Sequence, residues 1–321
     1  MFVYIPKGCL PMWQAGGMLL MASLLGACAS QQHTVAPAVA PTATPAATPE
    51  EIRKTVVEYP CTQGAHRGDS VLYVENTLSA IRSARQDPQY KFIEFDVQYS
   101  ADKQAVVFHD GSLRRIFGER VKVKDATYEE LCQLSENQIP TYEQVMTLAV
   151  GKPLNIEIKS QGNQADDELL IDYIMTDIRN RGIEDQTLIS SISADAIKYV
   201  KARYPEMPTG QIFWRKASTY LPFDFLTEGL YQEIDDSKAD YLMLHVSNQL
   251  NIKDLLRFKP KNKTLVFWDF DNTMYLVHKD PTDRLWSDPE ETRASDITRS
   301  HAHLNPPSRR SPLAKTEAAS L

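Results

Sequence analysis

The chain has 321 residues, of which 42% are hydrophobic, so it can bury a substantial core in one large domain or two small ones. Its formal net charge is -7. This acidic balance argues against a nucleic-acid-binding protein, because such proteins normally present a basic face. We therefore expect no nucleic acid among its partners.

The amino terminus is predicted to carry a targeting signal. Within residues 1–27, an apolar run over residues 15–27 is too short to span a bilayer and is typical of the core of a signal peptide. The run ends in Leu-Gly-Ala-Cys, which resembles the lipobox of bacterial lipoproteins. The resemblance implies cleavage before Cys28 and lipidation of its thiol. Because Ala29 follows, it also implies anchoring in the bacterial outer membrane, facing the periplasm. An ordinary secretory signal is the alternative.

A tether, a folded domain and a tail follow the signal. Residues 28–57 are predicted to be the tether, because most of this stretch is Ala, Pro, Thr and Val and cannot bury a core. Residues 58–298 are predicted to fold as one domain, and residues 299–321 are predicted to be disordered. Cys61 and Cys132 belong to the domain. An oxidising compartment would permit a disulfide between them or leave two buried thiols.

The first predicted strand of the domain ends in Gly-Ala-His-Arg-Gly at residues 64–68. His66 and Arg67 therefore lie at its carboxyl end. A helix over residues 77–86 follows, with Asn76 as its predicted N-cap.

A predicted hairpin over residues 91–110, KFIEFDVQYSADKQAVVFHD, brings two carboxylates and a histidine together. In its first strand Glu94 and Asp96 share one face, and the apolar residues that alternate with them share the other. The short polar turn permits only an antiparallel return, because a parallel crossover needs about a dozen residues or more. We therefore expect His109, at the end of the second strand, to lie near both carboxylates.

A third polar strand is Leu-Asn-Ile-Glu-Ile-Lys at residues 154–159, in which Asn155, Glu157 and Lys159 share one face. Hydrophobic periodicity and helix-ending residues predict the remaining elements. The predicted helices cover residues 128–134, 142–150, 166–181, 194–204 and 251–258, and the predicted strands cover residues 187–192, 209–214, 239–246, 264–270 and 283–288.

Strands that alternate with helices indicate a parallel sheet covered by helices. Without the antiparallel return of the hairpin, about eight such strands remain, the number that closes a TIM-type (β/α)8 barrel. An open doubly wound sheet would need a glycine-rich phosphate loop after the first strand, and the sequence has none there. The strands carry the following polar or aromatic residues at their carboxyl ends, where such barrels place active sites: His66, Glu94, Asp96, Glu157, Lys159, His245, Trp268 and Asp288.

These residue types favour one chemistry. Three carboxylates without cysteine suit a hard divalent cation, Ca²⁺ or Mg²⁺, so Glu94, Asp96 and Glu157 are the candidate ligands. His66 and His109 are candidates for proton transfer, because imidazole titrates near neutral pH. Arg67 and Lys159 add positive charge for a phosphodiester. The set predicts metal-assisted phosphodiester cleavage.

The sequence resembles the glycerophosphodiester phosphodiesterase family in five ordered blocks. They are His66-Arg67-Gly68, Glu75-Asn76-Thr77, Glu94-x-Asp96, Val106-Val107-x-His109-Asp110 and Asn155-x-Glu157-x-Lys159, with a looser match at Trp268 and Ser287-Asp288-Pro289. The resemblance implies a TIM barrel, His66 and His109 as general acid and base, and Glu94, Asp96 and Glu157 as metal ligands. Arg67, Lys159 and Trp268 are the candidate substrate- and phosphate-binding residues. Trp268, like His245, either lines the site or closes the barrel.

The implied reaction is hydrolysis of a glycerophosphodiester, such as glycerophosphocholine, to glycerol 3-phosphate and an alcohol. In related enzymes the neighbouring hydroxyl of the substrate attacks first and gives a cyclic phosphate. This sequence departs from the family at Val74, where proline is usual, and at Asp269 to Asp271, where Thr-Val-Asn usually follows the tryptophan. These departures leave the identity of the alcohol open.

Three alternatives remain. Residues 266–273, VFWDFDNT, fit the D-x-D-x-T motif of haloacid-dehalogenase-type phosphatases, but only about fifty residues follow, too few for the rest of that fold. A non-catalytic binding lipoprotein is the second alternative. The third is a phospholipase D-like enzyme that cleaves lysophospholipid through a cyclic phosphate. Aromatic residues could form a lipid-facing lip for it, although ordinary loop packing is the preferred interpretation; they are Phe213, Trp214, Tyr220, Phe223 and Phe225.

Overall fold

Eight strands close into a barrel in the computed structural model, which describes residues 59–213, 224–268 and 272–287. With β3, which lies outside the ring, the described residues form nine strands: β1 (Cys61–Ala65), β2 (Phe92–Tyr99), β3 (Ala105–Val107), β4 (Leu154–Ile158), β5 (Thr187–Ser191), β6 (Thr209–Phe213), β7 (Tyr241–His245), β8 (Thr264–Trp268) and β9 (Thr273–Val277). Their order around the ring is β1-β9-β8-β7-β6-β5-β4-β2, and pairing of β1 with β2 closes it. The predicted TIM-type barrel is confirmed.

Helices cover the outside of this ring. They are α1 (Leu78–Gln86), α2 (Arg114–Phe117), α3 (Tyr128–Leu134), α4 (Tyr142–Ala149), α5 (Gln164–Arg181), α6 (Ala194–Arg203), α7 (Asp224–Ser237) and α8 (Ile252–Phe258). Helices α2 and α7 were not among the predicted helices. None of the helices in the described ranges is both long enough and apolar enough to cross a membrane.

The hairpin is antiparallel as predicted, and β3 lies outside the ring, with Val107 opposite Val97. Because side chains alternate along β2, Phe95 packs into the layer between sheet and helices, whereas Phe92 packs inside the barrel with residues such as Leu188 and Met243. The barrel interior near the amino end of β2 is therefore apolar. The acids of β2 lie above this apolar layer.

Two glycines make room for the interior packing. A Cβ at Gly64 would lie 2.1 Å from the ring of Phe92, and one at Gly210 would lie 2.5 Å from the sulfur of Met243. No real Cβ tolerates such contacts, and the Phe92 ring is fully buried. The small residues in β1 and β6 are thus required by large ones in the neighbouring strands.

The prediction of a final strand at residues 283–288 was wrong. The last strand of the ring is β9, which lies between β8 and β1, is antiparallel to both and pairs Thr273 with Ala65. The link from β8 to β9 is too short for a parallel crossover. Residues 283–287 form turns, in which Trp286 packs 4.9 Å from Phe92 and 5.7 Å from Tyr241 between ring centroids. This segment covers the amino-terminal end of the barrel. Asp288 lies outside the described residues.

The predicted N-cap of the first helix was also wrong. The cap of α1 is Thr77, whose side chain accepts a hydrogen bond from the backbone N–H of Ala80. Asn76 instead takes a left-handed conformation with φ of 61° and points toward β2.

Cys61 and Cys132 are free thiols, so the disulfide that the sequence left open does not form in this structure.

Candidate active site

Three buried carboxylates meet at the carboxyl ends of β2 and β4. Strand register places Asp96 directly beside Glu157, and Glu94 lies one pleat earlier on the same inner face. One oxygen from each of Glu94, Asp96 and Glu157 lies within 4.8 Å of the other two, and the three residues are at most 7% exposed. The structure therefore brings together the three acids that the sequence singled out.

Burial and mutual repulsion separate the pKa values of these acids. Burial raises the pKa of Glu94 well above its usual value, and the neighbouring carboxylates raise it further. Burial raises the pKa of Glu157 to about 7 against the opposing effect of Lys159. Burial acts in the same direction on Asp96, but Lys159, His109 and Arg67 override it and hold the pKa of Asp96 well below its usual range.

The donor set fits a hard divalent cation. All three candidate ligands offer oxygen, the donor that Ca²⁺ and Mg²⁺ prefer. Glu94 Oε1 is buried and has no hydrogen-bond partner among the described residues, so one ligand oxygen is left for an ion. Three ionised carboxylates this close together repel one another, and a bound cation would offset that repulsion.

Two cations of the chain border the acids. Lys159 Nζ lies 2.8 Å from Asp96 Oδ1 and also donates to Glu157 Oε1. Arg67 donates its backbone N–H to Glu94 Oε2 over 2.7 Å, and its Nε lies 3.6 Å from Asp96 Oδ2. Residue 67 has a left-handed backbone with φ of 58°, which turns this N–H toward the carboxylate. Arg67 and Lys159 thus lie where the sequence analysis expected positive charge.

The two candidate histidines both line the cavity that holds the acids. His66 Nε2 is 3.9 Å from Glu94 Oε2, and the side chain is 10% exposed. His109 follows β3, and its Nδ1 lies 2.7 Å from Asp110 Oδ1. Burial lowers the pKa of His109, Asp96 opposes this shift, and Lys159 and Arg67 reinforce it. In its neutral form His109 donates the hydrogen on Nδ1 to Asp110. Its Nε2 is then available to accept a proton.

Arg115, Glu75 and Asp110 form a charged network that contacts both His109 and Arg67. Arg115 on α2 donates to both oxygens of Asp110 over 2.8 and 2.9 Å and to both oxygens of Glu75 over 2.6 and 2.7 Å. Glu75 also accepts from Arg67 Nη1 over 2.8 Å. Arg115 therefore connects the partner of His109 to the partner of Arg67. The sequence analysis did not identify Arg115, because no motif or periodicity links it to either acid.

Two asparagines were also missed as site residues. Asn76 Nδ2 donates to Asp96 Oδ2 over 2.7 Å. Asn155 Oδ1 accepts from Ser190 Oγ over 2.8 Å, while its buried Nδ2 has no partner among the described residues and belongs to the cavity wall. Both residues belong to the motif blocks quoted above, so the sequence held evidence for each as a site residue. That evidence was stronger for Asn155, because it shares a strand face with Glu157 and Lys159.

A cavity of about 270 Å³ opens above the acids. Trp268 forms part of its wall, with its ring centroid 6.2 Å from that of His66. His245 is not in the lining; its ring packs edge-on against Trp268 at 4.8 Å. The cavity is lined by His66, Arg67, Glu94, His109, Asn155, Glu157, Lys159, Ile192, Ile212, Trp268 and Met274. Cys28, Asp269 and Asp271 lie outside the described residues. So do the aromatic residues after Phe213 that were considered as a lipid-facing lip, except Phe225, whose side chain is not described.

Comparisons with known proteins identify the family of the chain. The model of the glycerophosphoryl diester phosphodiesterase family matches residues 66–292. A glycerophosphodiester phosphodiesterase of Caldanaerobacter subterraneus subsp. tengcongensis is 30% identical over 167 residues, which cover 46% of this chain and 65% of that protein. A lysophospholipase D of Homo sapiens is 30% identical over 115 residues, which cover 31% of this chain and 36% of that protein. The match thus spans less than two thirds of either relative.

A solved structure gives the same architecture. A phosphodiesterase from Oleispira antarctica, in complex with the product sn-glycerol-3-phosphate, aligns with a TM-score of 0.53 and 23% identity, over 67% of this chain and 87% of that one. This likeness supports the barrel fold. The match to the family model extends over most of the described barrel and includes all of its motif blocks. The chain therefore belongs to the glycerophosphoryl diester phosphodiesterase family.

Proposed function

We propose that this protein hydrolyses glycerophosphodiesters to glycerol 3-phosphate and an alcohol with the help of one divalent cation. The observation that carries the proposal is the single cavity wall that holds both histidines, two of the three acids and both cations. The product bound to the solved phosphodiesterase from Oleispira antarctica supports the choice of substrate. The cavity, at about 270 Å³, is large enough to hold a glycerophosphate group.

The roles of the acids follow from their donor chemistry. Glu94, Asp96 and Glu157 would hold the cation, whose charge stabilises the phosphate and lowers the pKa of an attacking hydroxyl when it is bound. Lys159 and Arg67 add charge that offsets the negative phosphodiester. The Nδ2 group of Asn155 is placed to donate to a substrate oxygen.

The histidines would share the two proton transfers. His109 is the better base, because its lowered pKa keeps it neutral and its contact with Asp110 leaves Nε2 to accept the proton of the attacking hydroxyl. His66, beside Glu94, would then donate a proton to the leaving alcohol. Whether the attacking hydroxyl belongs to water or to the substrate decides whether a cyclic phosphate forms on the way.

The histidine assignment is tested by glycerol 3-phosphate release from glycerophosphocholine. We expect His66→Ala and His109→Ala each to lower kcat by about 10²-fold or more, the contribution of a positioned acid or base. His278→Gln is the matched control, because His278 lies past β9 at the opposite end of the barrel, against Thr62. Release that persists in both active-site variants would refute the assignment.

A second candidate substrate is lysophospholipid. Ile192 belongs to the cavity wall and is 53% exposed, an apolar edge that an acyl chain could contact. One relative is named a lysophospholipase D, which is consistent with this candidate. Choline release from lysophosphatidylcholine, with detection of cyclic phosphate, distinguishes it. Turnover of that lipid without turnover of glycerophosphocholine would replace the first proposal.

The location of the protein is proposed from sequence alone. The Leu-Gly-Ala-Cys run supports a lipid anchor at Cys28 and an outer-membrane location facing the periplasm. Cys28→Ser should then move the protein from the membrane fraction to the soluble fraction. Retention of that variant in the membrane fraction would contradict the anchor.

A further inference from the structure

Four consecutive apolar side chains are exposed in the loop between β1 and α1. Of the seven large hydrophobic residues that are exposed in the described ranges, four belong to this loop. Single exposed hydrophobic residues are ordinary on a protein surface, but a contiguous group marks an interaction site. We call residues 71–74 the apolar loop; its members are Val71 (56% exposed), Leu72 (73%), Tyr73 (46%) and Val74 (43%).

Hydrogen bonds hold the apolar loop in this outward conformation. The backbone N–H groups of Leu72 and Tyr73 both donate to the carbonyl of Asp69, over 3.3 and 3.1 Å. Thr77 Oγ1 donates to the carbonyl of Val74 over 2.8 Å. The Asp69 side chain is buried and accepts from Ser83 Oγ over 2.6 Å. Because both ends of the loop are fixed, its side chains remain in solvent and do not fold back onto the barrel.

The apolar loop lies after β1, at the carboxyl-terminal end of the barrel, where the active-site cavity also opens. It begins four residues after Arg67, and Ser70 Oγ donates to the carbonyl of His66 over 2.7 Å. A groove of about 260 Å³ beside the loop has no charged residue in its lining, which consists of Tyr73, Val74, Thr77, Leu78, Ser79, Asn137 and Gln138. Exposed apolar residues next to an uncharged groove suit an apolar partner better than a charged one.

We propose that the apolar loop inserts into the surface of a lipid bilayer and turns the mouth of the active site toward the membrane. A net charge of -7 disfavours anionic lipids, so apolar insertion into zwitterionic phosphatidylcholine is the chemistry that fits. The proposed anchor at Cys28 would keep the barrel near such a surface. This inference goes beyond the proposed function and does not require that the site be active.

The test places a fluorescent reporter in the loop of the full chain. Leu72→Trp adds an indole at the most exposed position, and the spectrum of the unsubstituted protein is subtracted to remove the native tryptophans. With phosphatidylcholine vesicles we expect the added emission to shift to the blue and to be quenched when the lipid is brominated. Because apolar insertion drives the contact, the shift should persist at high salt. Val71→Trp should behave in the same way.

The matched control is Leu169→Trp. Leu169 is an exposed residue of α5 and is 61% exposed, but it does not belong to the loop. Its added emission should be unaffected by vesicles even when the protein is anchored to them. If vesicles also leave the added emission of Leu72→Trp and Val71→Trp unchanged, the proposal is wrong, whether or not the protein co-sediments with lipid. A response of these reporters to another protein but not to lipid would assign the loop to a protein partner and would equally overturn it.

Discussion

Arg115 is the residue that joins the two halves of the charged network. Its guanidinium makes a two-point contact with Glu75 and another with Asp110, and these acids hold Arg67 and His109 respectively. A lysine could not reproduce both contacts, because an ammonium is a point charge without the planar fork. Arg115 therefore acts as a positioning residue for the proposed base.

We predict that Arg115→Met lowers kcat by about ten-fold, a part of the 10²- to 10⁴-fold contribution of a positioned base, with a smaller effect on KM. Loss of the nearby positive charge would raise the pKa of His109, which must be neutral to accept a proton. The acid limb of the plot of kcat/KM against pH should therefore move to higher pH. Steady-state kinetics from pH 5 to 9 measure both effects.

Arg114→Met is the control for this substitution, since Arg114 is the exposed neighbour of Arg115 on the same helix. Arg115→Lys should restore part of kcat. If the acid limb of the plot of kcat/KM against pH stays at the same pH in Arg115→Met, Arg115 has only a structural role.

At the scale of single elements, the close contact between β1 and β2 depends on Gly64. The ring of Phe92 occupies the space where a side chain at residue 64 would lie. We predict that Gly64→Ala lowers the free energy of unfolding by about 1 to 3 kcal/mol, the usual cost of overpacking a core. Urea denaturation measures the difference. Gly111→Ala is the control, because a Cβ at residue 111 would have no atom within 4 Å, and its stability should be nearly unchanged.

The barrel and its acids were predictable because they follow the period of the strands. Alternation along β2 and β4 fixes which residues face inward, and parallel neighbours place Glu94, Asp96 and Glu157 at one end. The closing strand was not predictable in the same way. Residues 273–277 and residues 283–287 are both short segments with large hydrophobic side chains, and only tertiary packing decides that the first pairs with β1 while Trp286 covers the base. Arg115 was missed for a similar reason, since its contacts join segments distant in sequence.

At the scale of the whole molecule, a buried ion pair fixes the segment that covers the base of the barrel. Lys259 Nζ lies 2.8 Å from Asp283 Oδ1, both side chains are 1% exposed, and the same ammonium donates to the carbonyl of Lys263. Asp283 also accepts from the backbone N–H groups of Lys279 and Asp280. The pair thus ties the start of β8 to the turns after β9.

We predict that Lys259→Met destabilises the protein by about 3 to 5 kcal/mol, because it leaves the Asp283 carboxylate buried and unpaired. Thermal or urea unfolding measures the loss. Lys261→Met, at an exposed position in the same turn, should have little effect. Replacing both partners, Lys259→Met with Asp283→Leu, should recover part of the stability. A double variant no more stable than the single one would argue against the ion pair as the cause.

The most direct test of the central claim is the metal dependence of glycerol 3-phosphate release from glycerophosphocholine by the full chain, beside Glu94→Gln. We predict that EDTA stops release, that Mg²⁺ or Ca²⁺ restores it, and that Glu94→Gln releases far less product at any metal concentration. Release that is insensitive to EDTA and unchanged in Glu94→Gln would contradict the assignment of the buried acids as a metal site for phosphodiester hydrolysis.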